Sequence, residues 1–83
     1  IGVFLSLAFL TSADLSGANM FGADLSKADL AGAVKWTTDQ FEQVDYLSGT
    51  TMPNGVKLRG DDNPDGPIYE VWKAQYLAKQ GNG

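Results

Sequence analysis

Two groups of residues in this 83-residue chain have types and spacings that chemistry can use. Asp14, Asp24 and Asp29 recur on a five-residue grid, and Ser16 and Ser26 follow the first two at a distance of two. Carboxylates in pairs do acid–base work when a pocket keeps one protonated and the other ionised. The segment GDDNPDG, residues 60–66, invites a different chemistry. Asp61, Asn63, Asp65 and Gly66 match positions 1, 3, 5 and 6 of a calcium-binding EF-hand loop, and Ile68 falls at position 8. The match then breaks, because Trp72 stands at position 12 where a bidentate glutamate belongs. Pro67 is also foreign to such a loop.

The residues that usually support such chemistry are missing. There is no histidine, which removes the commonest general base and metal ligand. There is no cysteine, so disulfides and thiolate metal sites are excluded. Ser16 and Ser26 have no base to activate them, no enzyme activity is expected, and no cofactor is implied. Six basic residues against ten acidic ones give a net charge of −4, which argues against nucleic acid or an anionic membrane as partner. The residues at 61, 63 and 65 remain the only metal candidates, set against the ordinary reading of an acidic turn.

What positions Asp14, Asp24 and Asp29 is a repeat. In ADLSGANMFGADLSKADLAGA, residues 13–33, alanine returns every fifth place, followed by Asp or Asn and then Leu or Met. Five residues advance about 500° round a helix, so successive leucines sit about 140° apart and form no stripe. On a flat strand an odd period sends Leu15, Met20, Leu25 and Leu30 alternately to opposite faces. The period works only if the backbone turns a corner once per repeat. The small first residue and the large third residue then share an inward face by the two-residue alternation of extended structure. Asp and Asn at the second place point outward, to solvent or to hydrogen bonds at the corners. Gly17, Gly22 and Gly32 hold the fifth place, where a type II turn needs positive φ. Ser12 and Lys27 hold it elsewhere, which predicts type I corners at those two.

The units ADLSG, ANMFG, ADLSK and ADLAG, preceded by VFLSL and AFLTS in the same register, resemble the pentapeptide-repeat proteins and their A(D/N)Lxx signature. The resemblance covers residues 3–37 strongly and 45–54 weakly. It implies an all-β solenoid, a short right-handed quadrilateral β-helix of about two coils with four repeats per coil. Leu5 then stacks on Leu25, Leu10 on Leu30 and Ala8 on Ala28. In AVKWT, Lys35 stands where Leu belongs, so the coil stops there or Lys35 swings out. Thr37 or Thr38 caps a short helical insertion at about 38–44, with Phe41 and Val44 inward. Residues 45–54 resume the period two places out of phase, with Leu47 expected on Met20 and Met52 on Leu25.

Two units follow from this: a repeat β-helix at residues 1–57, and an acidic loop with a C-terminal α-helical extension at 58–83. Pro53-Asn54-Gly55 signals a turn and Val56-Lys57-Leu58 a short last strand. PIYEVWKAQYLAK reads as a helix, with Pro67 at its start, Gly81 near its end, and Ile68, Val71, Trp72 and Tyr76 on one face. This helix either caps the solenoid or docks on another protein through Tyr69 and Trp72.

The function expected is that of a non-enzymatic protein-interaction or scaffold module. Phe4 and Phe9 occupy outward second places that elsewhere hold Asp or Asn, and Leu7 is outward too. With Phe21 they make the N-terminal coil end a contact face for a protein partner or a second copy. The alternatives are the calcium loop and an acidic mimic of DNA, although two coils span only about 10 Å at the β spacing. The uncharged opening IGVFLSLAFLTS is shorter than the roughly twenty residues a bilayer needs, so a membrane is expected only through an upstream anchor. The resemblance points to cyanobacteria, in cytoplasm or thylakoid, and to an accessory subunit of a larger photosynthetic complex.

Overall fold

In the computed structural model of the protein, residues 9–81 are described. Their regular elements are two helices, α1 (Thr38–Glu42) and α2 (Tyr69–Gly81). No strand is present among the described residues. Extended segments pair through isolated bridges instead, so the continuous secondary structure is helical and the β character lies in single rungs. The described helices include none long and apolar enough to cross a membrane.

The rungs report a backbone that returns over itself. Parallel bridges join Phe9 to Asp29 and Asp14 to Val34, twenty residues apart, as four five-residue sides per turn require. Further bridges join Asp24 to Tyr46 and Asp29 to Thr51, now twenty-two apart. The Leu10 amide donates to Asp29 at 2.8 Å, Leu15 to Val34 at 2.9 Å, and Val34 back to Ala13 at 2.8 Å. Leu10 therefore stacks on Leu30, as the repeat predicts. Leu5, Leu7, Ala8 and Phe4 lie outside the described residues.

Each corner closes on a backbone bond from the first place of one repeat to the third place of the preceding one. The amides of Ala13, Ala18, Ala23, Ala28 and Ala33 donate to Leu10, Leu15, Met20, Leu25 and Leu30 at 2.9–3.1 Å. The fifth-place residue sits third in that turn and has positive φ: 69° at Gly17 and Gly22, 76° at Gly32. Ser12 at 61° and Lys27 at 60° do the same. The expectation of type I corners at those two is thus corrected. The four-residue turn is set by the coil, and a residue with a side group accepts the left-handed backbone there at a cost.

The inward columns fill the centre. Leu15, Met20, Ala23, Leu25, Ala28, Leu30 and Ala33 are all buried. The first column changes chemistry at Thr50, which is fully buried where the earlier sides place alanine. Its hydroxyl donates to the Leu25 carbonyl at 2.7 Å, so no polar atom is stranded.

Lys35 breaks the pattern by swinging out. Its backbone is left-handed at φ 59°, its side chain is exposed, and its ammonium lies 3.9 Å from Asp14. The next residue, Trp36, is half-buried against the core. Thr37 then caps α1 in a reciprocal box with Gln40, and Phe41 is buried. The Gln40 side-chain Nε2–H2 donates to the carbonyls of Leu15 at 2.7 Å and Ala18 at 3.0 Å, fastening the insertion to the coil beneath.

The ladder resumes with a two-residue surplus, and this corrects the expected stacking. The Leu25 amide donates to Tyr46 and the Leu30 amide to Thr51, each at 2.9 Å. Leu47 therefore lies over Leu25 and Met52 over Leu30, one side further on than the sequence period places them. The side that would cover Met20 is the one α1 replaces.

Above this coil the backbone doubles back. After the turn at Pro53-Asn54-Gly55, Lys57 pairs antiparallel with Thr51 and the Leu58 amide donates to Thr50 at 2.8 Å. Val56-Lys57-Leu58 is thus a single antiparallel rung rather than a strand. It occupies backbone groups that the top edge of the coil would otherwise leave unpaired.

Candidate interaction surfaces

The second-place carboxylates, a row of acids in the sequence, are engaged at the corners. Oδ1 of Asp14 accepts from the Ser16 amide at 2.9 Å, Asn19 from Phe21 at 3.0 Å, Asp24 from Ser26 at 2.9 Å, and Asp29 from Ala31 at 3.0 Å. Each is an Asx turn, a side group imitating the backbone two residues on. The Ser26 hydroxyl also donates to Asp24 at 2.6 Å. That hydroxyl first, and the Ser26 amide second, hold the Asp24 carboxyl below its ordinary value. At Asp14 the Ser16 amide leads in doing so. A carboxyl so held is ionised and accepts hydrogen bonds, the reverse of what a general acid requires. Ser16 and Ser26 are partners in these corners.

Large apolar residues also stand on the outer surface of the repeats: Phe9, Phe21, Val34 and Tyr46. Phe9 is 85% exposed and Phe21 62%. Phe9 stands at a second place, yet its ring offers no oxygen to the Thr11 amide, so the corner gives up the bond its neighbours make. Phe21 is the second residue of the corner that Met20 and Ala23 close, and the Gly22 amide beside it donates to Gln43 at 2.8 Å.

The acidic loop is organised by its asparagine. The Asn63 side-group amide donates to the Lys57 carbonyl at 2.8 Å and to Leu58 at 3.3 Å, while its backbone pairs with Gly60. Gly66 has no room for a larger residue: a Cβ there would lie 2.9 Å from the Lys57 carbonyl. The Arg59 Nε–H donates to the Gly66 carbonyl at 3.0 Å. Asp62, which the calcium register skips, receives the Lys57 ammonium at 2.8 Å, and that bond holds its carboxyl below the ordinary value. Asp61 and Asp65 remain exposed. Among the described residues no three acidic groups converge as a metal requires. The loop is closed by the bonds of Asn63, Arg59 and Lys57, and the reading of Asp61, Asn63 and Asp65 as a ligand set remains an expectation from their spacing.

Helix α2 turns its aromatic side to the coil. Trp72 is 1% exposed and Tyr69 and Tyr76 are half-buried, whereas Ile68 and Val71, expected on the same face, lie exposed. The rings decide this orientation. Trp72 stacks on Tyr76 at 5.3 Å between centroids, Trp36 meets Tyr76 at 5.0 Å and Phe41 at 5.3 Å, and Phe41 meets Trp72 edge-on at 6.2 Å. The Trp72 indole N–H donates to Asn54 Oδ1 at 2.9 Å. Trp72 as an anchor for another protein is thus corrected, because its ring is consumed inside this one.

Tyr69 is also tied inward. Its hydroxyl lies 3.0 Å from Glu42 Oε2 and 3.3 Å from the Thr38 carbonyl, and the Lys73 ammonium reaches the same Oε2 at 2.6 Å. Lys73 first and Tyr69 second hold the Glu42 carboxyl down. Burial, followed by the neighbouring Glu42, raises the Tyr69 phenol above its ordinary value. Between α1 and α2 lies an open groove of about 400 Å³ lined in part by Phe41, Glu42, Asp45, Tyr69 and Lys73.

Two residues that matter here escape a reading of the sequence. Trp36 is hidden behind the break at Lys35; an aromatic directly after a lysine in the inward column is the signal that finds it. Asn54 reads only as part of a turn, although Asn-Gly ahead of a Trp-bearing helix marks a side-group acceptor at the end of the coil.

The family model described as "Pentapeptide repeats (8 copies)" matches residues 2–34. No curated protein matches the sequence, and no solved structure does. Such repeats imply a β-helix solenoid in general. The twenty-residue return, the Asx corners and the buried Ala and Leu columns agree with that pattern. Residues 2–34 are a block of pentapeptide repeats by the family match, and the corner geometry of the described residues 9–34 agrees with it.

Proposed function

We propose that the protein is a non-enzymatic protein-interaction or scaffold module, an accessory piece of a larger assembly. It is built on a short right-handed quadrilateral β-helix of about two coils and closed at one end by α2. Pentapeptide-repeat proteins are commonly structural or interaction modules, which supports the general class. The observation that carries the reading is Phe9. An exposed ring occupies the place where the next four repeats put a corner-forming Asp or Asn. It is the most exposed of the large apolar residues described, and it gives up the local hydrogen bond that the next four repeats make, which supports a role in contact rather than in the coil.

The contact face therefore lies at the N-terminal end of the coil around Phe9, with Phe21 as a second exposed ring on another side. Phe9→Asp with Phe21→Ser separates contact from folding, because Asp at position 9 restores the Asx acceptor. The double variant is expected to lose self-association by light scattering, or capture of a partner from the native source, with thermal stability equal to the parent's or higher. Retained association at parental affinity would overturn the contact face.

A further inference from the structure

Asn54-Gly55 is a dipeptide whose chemistry the repeat does not use. In unfolded polypeptides Asn-Gly deamidates readily. The Gly nitrogen, unhindered by a substituent on its α-carbon, loses its proton and attacks the carboxamide carbon of Asn. A new C–N bond forms, the carboxamide's own C–N bond breaks, and ammonia leaves. Water then opens the cyclic imide at either carbonyl, giving aspartate or isoaspartate.

The fold opposes that attack by fixing the two groups in place, although Asn54 lies on the surface. The Gly55 N–H donates to the Met52 carbonyl at 2.8 Å, so the nucleophile is held in a turn and its proton is bound. Oδ1 of Asn54 is held from two sides, by the Val56 amide at 3.2 Å and by the Trp72 indole N–H at 2.9 Å. The carboxamide is thereby kept in its Asx geometry. The indole bond comes from α2, so the lock on Asn54 and the seat of α2 are one contact.

We propose that Asn54 is a modification site gated by α2: it deamidates only when the helix lifts from the coil, and the isoaspartate product keeps the helix from reseating. The two products differ in consequence. Aspartate keeps an oxygen where the indole and the Val56 amide need an acceptor, so the helix redocks. Isoaspartate routes the backbone through the β-carbon and γ-carbonyl, which lengthens it by one atom and removes the acceptor from its place. The turn at Pro53–Gly55 and the seat of Trp72 then no longer fit together. Each opening thus carries a chance of an irreversible release of the cap.

The experiment follows deamidation at Asn54 by peptide mapping with isoaspartate detection at neutral pH, resolving it from Asn82. The synthetic peptide Met52–Leu58 serves as the reference. The folded protein is expected to react at least tenfold more slowly than the peptide, and Trp72→Phe, which deletes only the N–H and part of the ring, should move the rate toward the peptide's. Equal rates in folded protein and peptide would overturn the proposal, as would a Trp72→Phe rate equal to the parent's. The purified isoaspartate-54 form should show faster amide exchange over residues 69–81, whereas Asn54→Asp should keep the parent's protection. Parental exchange in the isoaspartate form would overturn the release step.

Discussion

The coil, residues 9–34 with the resumed sides at 45–52, and the cap made by α1 and residues 56–81 solve the same problem by opposite means. In the coil every bond has counterparts. The corner amide, the Asx acceptor and the inward Leu recur side after side, and no single contact defines the whole. In the cap nearly every bond is unique: one indole to Asn54, one phenol and one ammonium to Glu42, one asparagine spanning the Lys57 and Leu58 carbonyls. Stability in the first region is distributed, as in other stacked repeats. In the second it is concentrated in a few residues, so the cap should come away while the coil persists.

The largest test strikes the shared centre. Leu25 is fully buried, with Leu47 above it and the Thr50 hydroxyl on its carbonyl. Leu25→Lys puts an unpaired charge into that column and should abolish folding, read as loss of the native circular dichroism and of cooperative melting. A soluble variant with a parental melt would break the claim that the two regions share one core.

A smaller effect, confined to the cap, comes from pH. The Glu42 carboxyl is held below its ordinary value of 4.5, so its contribution is complete above that pH and is lost as pH falls toward the lowered value. The Tyr69 phenol is raised above its ordinary 10.0, so its contribution is complete below pH 10 and is lost on further alkalinisation. Amide exchange over 69–81 should therefore accelerate at both extremes while residues 23–34 stay protected. Glu42→Gln should remove most of the acid limb. Parallel loss of protection in coil and cap would erase the distinction between them.

The smallest effect sharpens the account of the corners. Lys27 holds the left-handed position that Gly17, Gly22 and Gly32 hold elsewhere. Lys27→Gly relieves that backbone at some cost in conformational entropy, and a net gain of about 0.5–1 kcal/mol is expected from chemical denaturation. A loss of similar size would mean that the lysine stem packed near Gly49 outweighs the backbone term.

Much of the coil is legible in the sequence because the period leaves one solution: Ala and Leu inward, Asp and Asn at the corners, a turn at the fifth place. What escapes the sequence is set by competition between forces. At Ser12 and Lys27 the ladder overrides the residue's own backbone preference, so a rule based on glycine fails there. On α2 hydrophobicity alone puts Ile68 and Val71 inward, but aromatic packing on Trp36 and Phe41 and the indole bond to Asn54 rotate the helix instead. In the acidic loop, spacing suggests ligands, while the bonds made by Asn63, Asp62 and Arg59 turn it into a clasp. Phe9 and Phe21 are recognisable from the sequence because outward aromatic residues interrupt a polar register.

The surplus of two residues between Asp24 and Tyr46 carries a lesson for how such solenoids lengthen. The coil regains its pairing after α1 because the sides before and after the insertion are already aligned by their own rungs. Length on one side is therefore decoupled from register on the others, and that side behaves as a socket. A segment that leaves at Trp36 and returns at Asp45 can change in length and shape provided it still supplies a plug over Met20, the post that Phe41 fills in this protein.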